Sequence, residues 1–248
     1  MRALITGASS GIGMDMAKYL SSLGYDLVLV ARNKVKLEEL KRVLKTDVII
    51  YDTDLSITDN VYKLYKDTSK YGIDILINNA GFGLFGDYTN DNLDKELNMI
   101  DLNIKALHIL TKLFINNKNT KYILNVASSA GLMKGGPLMS TYYASKSYVV
   151  DYSRALYEEL RRNKANKSIS ILCPGPVDTN FNNVANVSFS MKGLDSKYVA
   201  KYAIDMMFKK KLIIIPGLST KIGLWFMNII PSKLLLKITY NFQKKKGS

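Results

Sequence analysis

Short apolar runs alternate with longer amphipathic stretches along most of the chain. The runs cover residues 27–30, 48–51, 73–77, 123–126, 169–172 and 212–215. Each is rich in valine, isoleucine and leucine, and Asp74 is the single charged residue among them. Runs of this kind are typical of strands buried on both faces. Strands that alternate with helices predict βαβ units and a parallel sheet.

The pattern therefore predicts an α/β fold: a Rossmann-type, doubly wound parallel sheet of about seven strands with helices on both faces. Residues 2–6 supply the first strand, and the crossovers should be right-handed. No internal repeat, linker or change of composition occurs before about residue 210, so residues 1–248 are interpreted as one domain.

Composition narrows the class of protein. Hydrophobic residues make up 47% of the 248 residues, which is usual for a globular protein with a full core. The single cysteine, Cys173, cannot form an internal disulfide, and the amino-terminal apolar run is too short for a signal peptide. These features favour a cytoplasmic location.

Charge and histidine content exclude other classes. The net charge is +14, but the lysines are spread along the chain and match no nucleic-acid-binding motif, so no nucleic-acid partner is predicted. The single histidine, His108, lies outside any cluster with metal-ligand spacing, and no metal site is predicted. A serine-hydrolase triad is disfavoured for the same reason.

A glycine-rich segment, residues 6–13, follows the first strand and opens a helical stretch. Glycines in such a turn allow close approach of the backbone to a pyrophosphate, and the helix N-terminus offers free N–H groups. The strand–turn–helix context favours dinucleotide binding over a plain glycine-rich turn. The predicted phosphate-binding residues are Gly7, Ser9, Ser10, Gly11, Ile12 and Gly13.

The spacing T-G-x-x-x-G-x-G resembles that of the short-chain dehydrogenase/reductase family, and further motifs follow in the family's order over nearly the whole chain. The resemblance implies hydride transfer between a nicotinamide and a carbonyl or alcohol carbon. It also implies a homodimer or homotetramer.

The end of the second strand indicates which dinucleotide binds. Ala31 stands where NAD-preferring members of the family carry an acidic residue, and Arg32 can pair with a 2′-phosphate. NADP(H) is therefore favoured over NAD(H), although Arg32 as a solvated loop residue stays an alternative. The family's additional basic residue in the glycine loop is absent, since Ser9 and Ser10 occupy those places.

Other cofactor contacts follow from the resemblance alone. Asp54 would accept a hydrogen bond from the adenine amino group, unless it only begins a helix. The remaining contacts implied are Leu55, Asn79, Ala80, Gly81, Tyr142, Lys146, Pro174, Gly175, Val177 and Thr179, with Lys146 holding the nicotinamide ribose hydroxyls.

A Y-x-x-x-K pattern opens a long helical stretch at Tyr142 and Lys146. Residues four apart lie on one helix face, so both side chains can point into the same space. A neighbouring ammonium lowers the pKa of a phenol and makes it a usable acid/base near neutrality. Tyr142 is predicted as the general acid/base and Tyr143, about 100° around the helix, as its rival.

The resemblance adds two catalytic residues. The family's serine stands 13 residues before the tyrosine, which selects Ser129, with Ser128 as the close rival. Asn103 lies within a helical stretch, where asparagine is unfavourable, and in the family such an asparagine distorts its helix and holds a water in a proton relay.

Residues 1–128 are thus predicted to be mainly the cofactor-binding half, and residues 129–248 the catalytic and substrate-binding half. Residues 180–193, with several large apolar side chains, are predicted to be a lid over an apolar carbonyl substrate. The apolar segment 212–248 is interpreted as a last strand and a helix over the lid or an oligomer interface, with peripheral membrane docking as the rival. A non-catalytic NADPH-binding sensor is the alternative to an enzyme.

Overall fold

The computed structural model describes residues 1–89, 93–179 and 193–244. Its strands are β1 (Arg2–Thr6), β2 (Asp26–Ala31), β3 (Val48–Asp52), β4 (Ile73–Asn78), β5 (Tyr122–Val126), β6 (Ser168–Leu172), β7 (Val177–Asp178), β8 (Leu194–Asp195) and β9 (Ile213–Ile214). Its α-helices are α1 (Gly11–Ser22), α2 (Lys34–Val43), α3 (Thr58–Thr68), α4 (Leu93–Ile100), α5 (Leu107–Ile115), α6 (Ser140–Arg162), α7 (Ser196–Phe208), α8 (Leu218–Ile229) and α9 (Ser232–Lys244). A π-helical turn (Asp101–Ala106) joins α4 to α5, and a 3₁₀ turn (Ser129–Leu132) follows β5.

Seven of the strands form one parallel sheet in the order β3-β2-β1-β4-β5-β6-β9. This order confirms the predicted Rossmann-type, doubly wound fold. The chain winds outward from β1 to one edge, returns to β4, and winds to the other edge. The carboxyl ends of β1 and β4 therefore flank the crevice where such sheets bind ligands.

Both faces of the sheet are buried, as the uninterrupted apolar runs predict. In β2, Leu27 and Leu29 pack into the cluster beneath α1, α2 and α7, whereas Val28 and Val30 pack into the cluster beneath α3, α5 and α6. The alternation follows from the two-residue period of a strand. A β-strand without a polar face is stable only between two helical layers.

A buried polar network fixes the ends of β4 and β5. The Asn78 Nδ2 atom donates to Thr111 Oγ1 and to Asn125 Oδ1, both at 2.9 Å. Asn125 Nδ2 in turn donates to Ser153 Oγ at 2.9 Å. Because buried amides are costly unless they are bonded, this network sets the register of the strands that carry the site.

The carboxyl-terminal segment forms the predicted last strand followed by helices, and the strand is shorter than the apolar run. β9 pairs with β6 through two residues, and Pro216 and Gly217 (φ +81°) then turn the chain. α9 buries Leu235, Thr239 and Gln243, which are four residues apart and share one face. In the described part of the chain, none of the helices has the length and hydropathy needed to cross a membrane.

Candidate active site

The glycine loop lies between β1 and α1, against the end of β4. Gly7 has φ +67°, and a Cβ built there would lie 2.8 Å from Asn79 Nδ2 and 2.9 Å from Ala80 Cα. Asn79 Nδ2 donates to the carbonyls of Thr6 (3.0 Å) and Gly7 (3.1 Å). The loop therefore requires glycine at position 7, for its left-handed backbone and for its close approach to β4.

The same region suits a phosphate. At Gly13 a Cβ would overlap both Asn79 Nδ2 and the Gly7 carbonyl. Ser10, the residue before α1, has extended backbone and makes no side-chain cap to the helix. The first N–H groups of α1 are thus left for a ligand, and the helix dipole favours an anion there. The predicted residues of the glycine loop fit a dinucleotide pyrophosphate.

Arg32 and Asp54 lie together beyond the ends of β2 and β3. The Arg32 Nη1 atom is 3.9 Å from Asp54 Oδ2, and the guanidinium side chain is 70% exposed. Asp54 Oδ1 accepts from the Ser56 N–H (2.9 Å) and the Ser56 hydroxyl (2.8 Å). Leu55 is buried and packs with the core. An exposed cation beside Ala31 is available to a ligand at this end of the crevice.

The backbone after β4 is held by β1 and by the π-helical turn. Thr6 Oγ1 accepts from the N–H groups of Asn79 and Ala80, both at 3.0 Å. A Cβ on Gly81 would lie 2.8 Å from Asn103 Oδ1 and 3.3 Å from Lys146 Nζ. The segment that follows β4, which is predicted to contact the cofactor, therefore meets Asn103 and Lys146 at Gly81.

Tyr142 and Lys146 are buried on the first turns of α6. The Lys146 Nζ atom donates to the Val126 carbonyl at 3.0 Å and lies 6.0 Å from the centroid of the Tyr142 ring. Burial lowers the pKa of Lys146 to about 8. Burial also raises the pKa of Tyr142 to about 12, against a hydrogen bond with Ser128 that lowers it. The two side chains lie on the same face of α6, as their four-residue spacing predicts.

The structure brings Ser128, the close rival of the predicted Ser129, to Tyr142. Ser128 is extended, caps the 3₁₀ turn by accepting from Ala130 N–H at 3.2 Å, and hydrogen-bonds the Tyr142 side chain. Ser129 donates its backbone N–H to the Pro174 carbonyl at 2.8 Å. Counting 13 residues back assumes a loop of fixed length, whereas the loop before α6 has its own turns, at Gly135 (φ +108°) and Leu138 (φ +65°).

Asn103 is fully buried in the π-helical turn. Its Oδ1 atom accepts from the Phe82 N–H (3.1 Å), and its Nδ2 atom donates to the Phe82 carbonyl (2.9 Å) and to Ser145 Oγ (3.1 Å). The helix is thus distorted at the residue where the resemblance implied a distortion. Asn103 holds the segment after β4 against α6, beside Lys146.

The segment after β6 closes the opposite side of the crevice. A Cβ on Gly11 would lie 3.1 Å from Thr179 Cγ2, and a Cβ on Gly175 would lie 2.8 Å from Thr220 Oγ1. Val177 is buried and pairs with Leu194 in the small β7–β8 sheet. Of the predicted contacts from Pro174 to Thr179, Thr179 therefore borders the glycine loop. Of the predicted lid, residues 180–192 lie outside the described residues.

An apolar wall stands beside Tyr142. Met99, Ala130, Met139, Tyr142 and Tyr143 form a buried cluster, with four further apolar side chains packed on it: Phe82, Leu84, Phe85 and Met133. From α9, Gln243 Nε2 donates to the Tyr143 hydroxyl at 2.7 Å. Sequence reasoning missed Gln243, which is a polar residue on the four-residue stripe that α9 buries.

Comparison with known proteins gives concordant relatives. The short chain dehydrogenase sequence model matches residues 1–188. An uncharacterised oxidoreductase of Staphylococcus epidermidis is 35% identical over 182 residues, 71% of this chain and 78% of that protein.

Two solved structures share the fold over nearly the whole chain. A short-chain dehydrogenase from Sphingobium yanoikuyae in complex with NADPH is 26% identical, with a TM-score of 0.79 over 93% of this chain and 96% of that one. A short chain dehydrogenase/reductase from Burkholderia phymatum in complex with NAD is 25% identical, with a TM-score of 0.81 over 90% and 91%.

Proposed function

Because the chain belongs to the short-chain dehydrogenase/reductase family of oxidoreductases, we propose that it transfers hydride between NADP(H) and a carbonyl or secondary-alcohol carbon. The observation that carries this proposal is the convergence of Ser128, Tyr142, Lys146 and Asn103 beside the glycine loop. A protein that only binds the dinucleotide needs the loop but not these four groups together.

Tyr142 acts as the general acid in the direction of reduction. With a pKa of about 12 in the free protein, its phenol holds a proton at neutral pH and can donate it to the oxygen of a reduced carbonyl. Ser128, bonded to Tyr142, donates a second hydrogen bond to the same oxygen and stabilises the charge that develops there. The bound nicotinamide supplies the hydride in this direction and accepts it in the other.

Lys146 controls the proton on Tyr142. Its protonated amine, on the same helix face, favours phenolate over phenol and so assists release of the proton. Asn103 and Gly81 hold the segment against which Lys146 lies. Asn103 is proposed to support a water-mediated proton relay to Lys146.

NADP(H) is the proposed cofactor. Arg32 is exposed beside Ala31, and a guanidinium forms paired, charge-assisted hydrogen bonds with a phosphate. An acidic residue at position 31 would repel the 2′-phosphate, and none is present. Asp54, 3.9 Å away, is proposed to accept from the adenine amino group.

The proposed substrate is an apolar ketone or aldehyde. The wall beside Tyr142 consists of methionine, phenylalanine, leucine and tyrosine side chains, which bind apolar groups without strict shape requirements. The Tyr143–Gln243 hydrogen bond adds a polar pair to this wall.

Assembly into a homodimer or homotetramer is also proposed. Leu93, Leu97 and Ile100 are exposed on one face of α4, at spacings of four and three residues. An apolar face of this kind on a globular protein is typical of a contact between copies. Light scattering on the purified protein would give the number of copies.

The test is NADPH and NADH oxidation with aliphatic, aromatic, steroid and acyl ketones. Tyr142→Phe should retain NADPH binding and lower turnover by roughly 100- to 10,000-fold, because it removes the acid and leaves the ring. Ser128→Ala should lower kcat by roughly 100- to 1,000-fold.

Matched controls are adjacent in the chain. Tyr143→Phe and Ser129→Ala remove the same hydroxyls one residue away and should lower kcat far less than Tyr142→Phe and Ser128→Ala do. If Ser129→Ala were the damaging serine variant, the assignment of Ser128 would be wrong. Tight NADPH binding without turnover on any ketone class would indicate a dinucleotide-binding sensor instead of an enzyme.

A further inference from the structure

One face of α8 exposes large apolar side chains along its whole length. Leu218, Ile222, Trp225, Phe226 and Ile229 recur at spacings of three and four residues, and each is between 49% and 72% exposed. The opposite side buries Leu224 against the protein. A surface helix normally turns its apolar stripe toward the core, whereas the apolar stripe of α8 faces away from the core.

α9 continues the exposed apolar surface beside its buried stripe. Leu234 and Ile238, one helical turn apart, are about half exposed. Lys233 and Lys237 are exposed on the side of the helix away from the buried stripe. α9 therefore presents an apolar strip bordered by cations.

The charge of this region has one sign. From residue 206 to residue 248 the sequence contains nine lysines and no aspartate or glutamate. These lysines are Lys209, Lys210, Lys211, Lys221, Lys233, Lys237, Lys244, Lys245 and Lys246. Lys221 lies on α8, and Lys233, Lys237 and Lys244 lie on α9, so the two helices carry four lysines and no acidic residue. Lys245 and Lys246 follow α9 in the sequence, and Lys209, Lys210 and Lys211 follow α7.

We propose that α8 and α9 dock this protein onto the surface of an anionic lipid bilayer. The apolar stripe of α8 lies in the boundary between headgroups and acyl chains, and the surrounding lysines contact acidic headgroups. Aromatic, leucine and isoleucine side chains next to lysines are the composition of helices that lie in that boundary. The docking is peripheral and does not involve crossing of the bilayer.

Charge distinguishes the bilayer from a second copy of the chain. A two-fold contact between identical α8–α9 surfaces would bring two lysine-rich regions together with no acidic residue from either. Like charges at an interface oppose association, whereas an anionic surface attracts each lysine near it.

The docking face is tied to the active site. At one end of α8, Thr220 lies against Gly175; at the other, Lys134 Nζ donates to the carbonyls of Asn228 (2.9 Å) and Ile230 (3.1 Å). α9 reaches the site through the bond from Gln243 to Tyr143. The helices that contact lipid therefore also border the substrate wall.

The experiment uses Trp225, which is the only tryptophan of the chain and lies in the α8 stripe. The full-length protein is titrated with vesicles of phosphatidylcholine alone and of phosphatidylcholine with 30 mol% phosphatidylserine. Trp225 emission should shift to shorter wavelength with the anionic vesicles, and the protein should sediment with them. Raising the salt to 1 M should weaken binding at least tenfold, because the Debye length falls to about 3 Å.

Two sets of variants separate the apolar and electrostatic parts. Phe226→Ser with Ile229→Ser should weaken partitioning by roughly 100-fold or more, given the free energy of burying each side chain. Lys233→Glu with Lys237→Glu should weaken binding to anionic vesicles by roughly tenfold or more. Val43→Ser with Ile57→Ser changes equally exposed apolar residues on α2 and before α3, and should bind as the parent does.

An unchanged thermal midpoint and NADPH affinity would show that each variant is folded. The proposal is overturned if Trp225 emission does not respond to anionic vesicles, or responds equally to neutral ones. It is also overturned if the α8 variants convert a dimer to a monomer without lipid, since the face would then be a contact between copies.

Discussion

Lys146 must carry its proton in surroundings that disfavour charge. Its amine is buried and donates a hydrogen bond to the neutral carbonyl of Val126. Desolvation of the ammonium is the main cause of the lowered pKa, since a charge is less stable in a low-dielectric interior than in water. The charged form of Lys146, which the proposed chemistry needs, therefore lowers the free energy of unfolding.

The free energy of unfolding should therefore depend on pH through Lys146. An unfolded lysine binds its proton up to about pH 10.5, whereas folded Lys146 releases it near pH 8. Between these values the unfolded chain binds more protons, so the stability contributed by this group rises with pH. The full effect is roughly 3 kcal/mol, at about 1.4 kcal/mol per pKa unit.

Urea unfolding of the parent and of Lys146→Met at pH 7 and pH 10 measures this effect. The methionine variant should gain stability relative to the parent at pH 7, and most of that gain should vanish at pH 10. Lys63→Met on the exposed face of α3 is the control. A difference between parent and Lys146→Met that does not change with pH would contradict a lowered pKa.

For single residues, the sequence predicted which side chains share a helix face better than which side chains meet across a loop. The four-residue spacing was enough to place Tyr142 with Lys146, because a helix period is fixed. The choice between Ser128 and Ser129 depended on a loop, and a loop has no period. A shift of one residue there decides which of the two hydroxyls meets Tyr142, and in the structure Ser128 hydrogen-bonds it.

At the scale of elements, the α4–α5 segment is two helices joined by a π-helical turn. The sequence shows one continuous helical stretch, because a single turn with an extra residue barely changes the apolar period. The π-helical turn is explained by contacts that Asn103 makes with residues distant in the sequence. Asn103 satisfies both backbone groups of Phe82 and the Ser145 hydroxyl at once.

Asn103→Ala should lower the free energy of unfolding by about 2 kcal/mol, because it removes the Asn103 partner of two partly buried backbone groups of Phe82. Turnover should fall further than stability alone explains, since Gly81 and Lys146 lose their support. Asn98→Ala, an asparagine in α4 of the same segment, is the matched control. Urea unfolding and steady-state kinetics measure both effects, and equal losses in the two variants would remove any special role for Asn103.

For the whole molecule, the hydrophobic pattern was sufficient to predict the sheet, because seven buried strands between helices have few arrangements. The pattern could not predict how the last helices pack. The apolar residues of α8 and α9 predict burial, yet many of them are exposed, and the buried stripe of α9 includes a threonine and a glutamine. Which of these side chains are buried is decided by how the helices pack on the rest of the protein, and the hydrophobic pattern does not contain that information.

Cofactor choice can be measured through the stability of the whole molecule. A ligand at 100 times its dissociation constant stabilises the folded state by about 2.7 kcal/mol, which is roughly 5–10 °C in Tm for a chain of this size. NADPH should raise Tm more than NADH at equal concentration. Arg32→Ala should reduce the NADPH shift to that of NADH.

Arg42→Ala removes a guanidinium from the far end of α2 and should leave both shifts unchanged. Thermal unfolding followed by circular dichroism is sufficient. Equal shifts by NADH and NADPH in the parent would refute the preference for NADP(H).

The bond between Gln243 and Tyr143 sets an order of events during synthesis on the ribosome. Gln243 lies 100 residues after Tyr143 in the chain. At common elongation rates the ribosome adds those residues in roughly 5–20 s, so the bond cannot form before then. The contacts of the glycine loop with Asn79 and Ala80 are available far earlier. A nascent chain can thus form the contacts of the glycine loop well before the Gln243–Tyr143 bond completes the wall beside Tyr142.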